Sequence, residues 1–289
     1  MSPARTDARS LLFLSLFLLL FTGSVTLVPA QDESANQGNI STSVGLNTTS
    51  AYYFRGIDQE GSGLIFQPSV EVGTTLYEGE DVTLSGNAGL WWSIHTAGTG
   101  DASTADGRSR VYEEDVYAGL NLSAGNWSLG TSYIFFTSPN DAFATIEELD
   151  LSVSYDDSEA LGDYALSPYV MVGFETDNHS GADEATYVEL GVSPGTTLNE
   201  KSTYPVSVSF PVTIGLSGDD YYEDPSGDEE TLGYIQFGPH ASVPLAKNTQ
   251  WGSLSLSGGV DYLFIGPEET ANGGDSSEFL ANISLNLSY

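Results

Sequence analysis

Six charged side chains occupy positions from which an alternating strand would aim them to one side: Arg55, Glu71, Glu148, Asp150, Glu189 and Asp261. Each lies in or at the end of a run in which every second residue is apolar, and each falls on the polar parity. On the inner wall of a closed sheet, rings of carboxylates favour cations, whereas basic rings favour anions. Arg55 has the opposite sign to the other five. Its planar guanidinium suits bidentate pairing with a carboxylate, and Glu71 on the neighbouring strand is its expected partner. That pair could anchor the first loop as a structural ion pair, or form a constriction or solute clamp.

Other chemistry finds little support. Cysteine is absent, so neither a disulfide framework nor a thiolate metal site is available. A barrel enzyme of phospholipase type needs a nucleophile beside a base. Of the three histidines, His95 and His179 fall in expected loops and His240 points inward by parity, and there is no His-x-Ser-Asn motif. The acidic stretch 218–230 offers carboxylate oxygens suited to calcium, but it lacks the ligand spacing of an EF-hand and reads as a solvated loop. The expectation is no catalytic residue, no cofactor and no metal.

The elements that would position the charged residues are strands. The last twelve residues, EFLANISLNLSY, put Phe279, Ile283, Leu285, Leu287 and Tyr289 on one parity and small polar residues on the other. That is the period of a two-faced strand. Eleven further runs share it, beginning with 40–55, 65–77 and 82–94. Links at 78–81, 124–126, 156–162, 194–203 and 246–250 are mostly short, and the alternate links, such as 95–114 and 217–230, are mostly longer and rich in Gly, Asp and Glu. A soluble β-sandwich has no reason to sort its loops by parity. The sorting predicts an all-β, 12-stranded antiparallel up-and-down transmembrane β-barrel with short periplasmic turns and longer extracellular loops.

Closure of the last strand on the first removes the sheet edge that hydrocarbon could not solvate. The apolar parity then faces outer-membrane lipid, and the terminal aromatic resembles the recognition signal that outer-membrane barrels offer their barrel assembly machinery. Aromatic residues gather where headgroups meet water. Tyr52, Phe54 and Trp92 are expected at the long-loop interface, and Trp127 and Trp251 at the other. Small inward residues, among them Ser43, Gly45, Ser85, Gly89, Ser257 and Asn286, leave room for water in a narrow channel.

At the start of the chain, Arg5 and Arg9 precede an apolar run at 11–21 and small residues up to Ala30. This is the form of a secretory signal, and the run is too short for the ~20 apolar residues of a spanning helix. The expected organisation is a signal peptide at 1–30, a short periplasmic segment at 31–39 and the barrel at 40–289, exported to a bacterial outer membrane. With 40 acidic and 7 basic residues, the chain carries a formal net charge of −33, which argues against nucleic acid as a partner.

The stretch SAYYFRGIDQEGSGLIFQPSVEVG, residues 50–73, resembles the opening hairpin of the TorF family of porins. Members begin with an aromatic-rich strand ending in Arg-Gly, followed by a Gln-bearing loop and a returning strand; Tyr53, Phe54, Arg55, Gly56 and Gln59 match. The acidity of the chain and Asp58 depart from the pattern. The resemblance implies a porin. The sequence as a whole predicts passive diffusion of small solutes or cations. The alternative is a non-conducting barrel serving as anchor, adhesin or receptor. Oligomeric state is not specified.

Overall fold

The computed structural model describes residues 38–97, 110–223, 228–266 and 276–289. The expected signal peptide lies outside these residues. The described chain is almost entirely strand: β1 (Ile40–Thr49), β2 (Tyr52–Phe54), β3 (Ile57–Glu60), β4 (Ile65–Glu78), β5 (Val82–His95), β6 (Val111–Ala124), β7 (Trp127–Thr137), β8 (Ile146–Tyr155), β9 (Tyr169–Asn178), β10 (Thr186–Val192), β11 (Gly195–Leu198), β12 (Val206–Ser209), β13 (Val212–Asp219), β14 (Leu232–Phe237), β15 (His240–Thr249), β16 (Gly252–Ile265) and β17 (Ser277–Ser288).

Except for β2 and β3, these pair antiparallel in one sheet that closes into a 12-strand barrel, because β17 bonds to both β16 and β1. Three of the twelve spans are each made of two strands: β10 with β11, β12 with β13, and β14 with β15. A proline stands at every break, Pro194, Pro211 and Pro239. Proline has no N–H to give to a ladder, so the regular pairing lapses there. Their carbonyls still accept, from Phe210 N at 2.9 Å, Gly238 N at 3.3 Å and Val260 N at 3.2 Å, which stitches each break to the next span.

The closing seam shows why the last strand ends as it does. β17 runs in register with β1 from Ser43 opposite Ser288 to Thr49 opposite Asn282. Beyond it, Tyr289 and Thr42 exchange both backbone hydrogen bonds at 2.8 Å. Phe279, Ile283, Leu285 and Tyr289 stand exposed on the outer wall.

Alternation holds around the barrel, apolar residues outside and polar or aromatic residues inside. Val44 is 52% exposed on the outside, whereas Ser93 and Glu148 inside are 0% and 1%. The buried core is therefore within the bore. It consists of two aromatic clusters near the long-loop end, one around Tyr187, Tyr222, Tyr234 and Leu263, the other around Tyr52, Ile65, Trp91 and Tyr112.

Several boundaries differ from expectation. The first strand stops at Thr49, and 52–60 form a separate hairpin of β2 and β3. The span expected to end near 193 continues through β11, leaving a turn at 199–205. β6 begins at Val111, inside the expected 95–114 loop, and His95 is the last residue of β5, buried in the bore. Loop sorting is also looser than expected: the link at 156–168, with a short helix α1 (Ser158–Leu161), is longer than 138–145 and 179–185 at the opposite end. Asp157 orders that link by accepting the backbone N–H groups of Leu166 and Ser167 at 3.0 Å.

Candidate functional site

The hairpin of β2 and β3 joins β1 to β4, and its tip reaches the far side of the barrel. The turn is Arg55-Gly56, with φ of 51° and 79°, between the pair Phe54 and Ile57. Two consecutive positive φ values define the tight turn that matches strand twist. A non-glycine residue pays for that conformation, on the order of 1–3 kcal/mol, and is retained only where its surroundings hold it. Gly56 is constrained twice over, since a Cβ there would come 2.7 Å from the Cβ of Tyr234 on β14.

What holds Arg55 is a dense set of contacts. Its Nη1 and Nη2 donate to the two carboxylate oxygens of Glu148 on β8, at 2.7 and 2.6 Å. Nη1 also lies 3.1 Å from the Tyr221 hydroxyl, and Nη2 lies 3.8 Å from Asp150. The guanidinium sits over the Tyr187 ring at 4.0 Å, and the Tyr222 hydroxyl donates to the Arg55 carbonyl at 2.8 Å. Bidentate charge-assisted bonds of this kind are among the strongest available to side chains.

The near half of the hairpin is held as well. The Tyr52 hydroxyl donates to Glu113 at 2.8 Å, and its ring packs on Trp91. Tyr112 donates to Gln59, and its ring stacks on His95 at 4.6 Å. His95 also faces Glu60 at 3.8 Å. Since β1 and β4 are nearly opposite β10 in the closed order, the hairpin spans the bore.

Elsewhere on the inner wall the carboxylates are held by hydroxyl, amide and imidazole groups. Glu189 accepts the hydroxyls of Tyr187, Tyr169 and Tyr234 at 2.6, 2.7 and 2.8 Å. Glu71 accepts Asn87 at 2.8 Å and Tyr117 at 3.0 Å. His240 and Asp261 form a buried pair at 2.9 Å. Tyr117, Tyr169 and Tyr234 each lie across a glycine of the adjacent strand, Gly89, Gly191 and Gly215, where a Cβ would meet the ring. The missing side chains let the rings lie flat against the wall. Beyond them the inner face is small and polar, as in the Asn47, Gln67 and Ser284 chain of hydrogen bonds.

All six sequence-selected charged residues face the bore, but their pairing differs from expectation. Arg55 binds Glu148 rather than Glu71, because the strand that was to carry it ends six residues earlier and the hairpin takes it across the lumen. Tyr52 and Phe54 are correspondingly not interface aromatics: Tyr52 is buried on Glu113, and Phe54 packs against Phe136 within the bore. Trp92 remains on the outer face beside Glu114, and Trp127 and Trp251 are exposed at the short-turn rim.

Glu113, Asp115 and the tyrosines at 117, 169, 187, 221, 222 and 234 were not selected from sequence. The first two continue the inward parity of β6 through Tyr117; Glu113 fell in the expected 95–114 loop and would have been found by starting the strand at Val111, whereas Asp115 already opened the expected run. Among the described residues, one group of three has metal-ligating geometry, half-buried Glu147 with exposed Asp177 and His179.

No family model and no curated protein matches the chain. Solved structures resemble it over most of their length. The COG4313 outer membrane channel from Pseudomonas putida F1 is 14% identical with a TM-score of 0.48, over 91% of this chain and 100% of that one. LpxR from Salmonella typhimurium is 10% identical with a TM-score of 0.43, over 85% and 99%. The NanC porin is 11% identical with a TM-score of 0.41, over 85% and 98%.

Proposed function

We propose that this protein is a bacterial outer-membrane porin through which ions or small solutes diffuse passively, with preference for cations. The observation that carries this reading is the charge of the bore where the hairpin crosses it. There the hairpin crosses a wall bearing Glu113, Asp115, Glu148, Asp150 and Glu189, and Arg55 is the one arginine or lysine placed against them among the described residues. Fixed carboxylates in a low-dielectric passage lower the barrier for cations and raise it for anions. The closed barrel, its apolar outer wall and the aromatic residues at both rims accord with a lipid surround. The TorF-like residues 53–59 are those of the hairpin itself, so the resemblance attaches to the segment that crosses the bore.

On this reading the protein carries out no covalent chemistry. The chain would reach its membrane through the signal at 1–30, with the assembly machinery engaging β17. The hairpin also favours a second reading, in which it closes the bore and the barrel serves as anchor, adhesin or receptor. Single-channel recording of the refolded mature chain in a planar bilayer under a KCl gradient separates the two. Discrete conductance with a cation-selective reversal potential supports the porin. Silence from a demonstrably folded barrel supports the closed form.

A further inference from the structure

The guanidinium of Arg55 rests in a pocket whose charged and aromatic walls come from the barrel, not from the hairpin. Glu148 and Asp150 stand two apart on β8 and so share its inner face, both almost fully buried at 1% and 3% exposure. Gly173 on β9 is the cross-strand partner of Asp150, and a Cβ there would come within 2.9 Å of both carboxylates, so the glycine leaves the room into which they fold. The Tyr187 ring on β10 lies 4.0 Å from the centre of the guanidinium, and the Tyr221 hydroxyl accepts from Nη1 at 3.1 Å. A carboxylate that meets two N–H groups side by side, an aromatic face and a further acceptor at the edge match a planar, delocalised cation better than a compact ammonium.

Two features set Arg55 apart from a fully matched occupant. Asp150 Oδ1 is enclosed, makes no hydrogen bond and lies 3.8 Å from Nη2, so one acceptor aimed into the pocket is left unused. The backbone of Arg55 is also held at φ 51°, a conformation that costs a non-glycine residue. An untethered guanidinium is free of the turn and can shift toward Asp150 while keeping both bonds to Glu148. We infer that this pocket is a binding site for small guanidinium-bearing solutes of arginine type, with Arg55 as their tethered stand-in, and that such a solute displaces Arg55 and frees the hairpin. Its position suits capture: Glu148 is the third residue of β8 and Tyr187 the second of β10, both at the long-loop end. The inference names a solute class for the cation preference proposed above and rests on that reading only for passage, since binding requires no conductance.

The test uses the folded full chain in detergent, with ethylguanidinium as probe and ethylammonium at equal concentration as control. A tethered group competes at an effective concentration of mM order, so displacement is expected near ~10 mM, far below denaturing levels. Ethylguanidinium should then speed protease cleavage within 52–60 and ethylammonium should not, with the protease's own rate checked on an unrelated peptide. Arg55→Gly clears the pocket and keeps the turn, because glycine adopts positive φ freely. That variant should bind ethylguanidinium in calorimetry, and adding Glu148→Gln should weaken binding about tenfold or more by removing the charge-assisted bonds.

Equal acceleration by both cations would be a general salt effect and would overturn the site. No acceleration up to ~50 mM would reduce the pocket to a permanent lock, with the same consequence. Binding to Arg55→Gly that survives Glu148→Gln would place the cation elsewhere and also overturn it. If Arg55→Gly does not fold, the wild-type cleavage result decides alone. Guanidinium-specific release from a barrel that is silent in the bilayer would defeat the porin reading and uphold the site.

Discussion

Arg55 and Glu148 are 93 residues apart in the chain and joined by a two-point ion pair inside the barrel. The first long loop is thereby tied to the wall opposite its own attachment. This contact seats the hairpin of β2 and β3 across the bore, and most of what can be tested about the protein follows from it.

Replacing Glu148 with Gln removes one partner of a buried pair and leaves the guanidinium buried beside weaker acceptors. Loss of one partner in such pairs costs about 3–5 kcal/mol. The expected outcome is a released hairpin, seen as faster protease cleavage within 52–60 and a larger or more frequently open conductance. The exchanged pair, Arg55→Glu with Glu148→Arg, should recover part of the seating. Unchanged cleavage and conductance in Glu148→Gln would show that the tyrosine contacts alone hold the hairpin.

Gly56→Ala should unseat the same hairpin by another route. The new methyl meets a conformation at φ 79° that L-residues rarely adopt, and it would press on Tyr234. A destabilisation of about 1–3 kcal/mol is expected from the backbone alone. Hydrogen exchange of the amides at 52–60 should accelerate, with the β1 to β17 seam unaffected.

Glu71→Gln and Glu189→Gln test the charge of the passage. Both carboxylates accept only neutral donors, two for Glu71 and three for Glu189, so an amide can replace either without orphaning a buried cation. The reversal potential under a KCl gradient should move toward zero in each. No movement in either variant would remove these residues from the conduction path.

Deleting Tyr289 removes both backbone bonds to Thr42 and one exposed ring at the rim. Expected is less folded barrel in cell membranes, with unfolded chain accumulating before insertion, read by heat-modifiable migration. Normal insertion would mean that the remaining outward residues of β17 suffice as the assembly signal.

Period-2 alternation, joined to the sorting of short and long links, predicted an antiparallel barrel of twelve spans and put Glu71, Glu148, Asp150, Glu189 and Asp261 on its inner parity. These properties are local: a strand with one apolar face declares its facing residue by residue. Proline breaks were less legible, because Pro194, Pro211 and Pro239 interrupt the ladder without disturbing the alternation on either side. The run at 40–55 misled for a related reason. Tyr52 and Phe54 continue the apolar parity of β1, yet the chain leaves the wall after Thr49 and turns inward.

What the sequence by itself determined was therefore the barrel, its facing and its acidic interior, all of which follow from neighbours a few residues apart. Only the tertiary structure decided that Arg55 joins Glu148 and that Tyr52 reaches Glu113. Those facts depend on where a loop lands across a closed bore, a relation between positions far apart in the chain that no periodicity encodes.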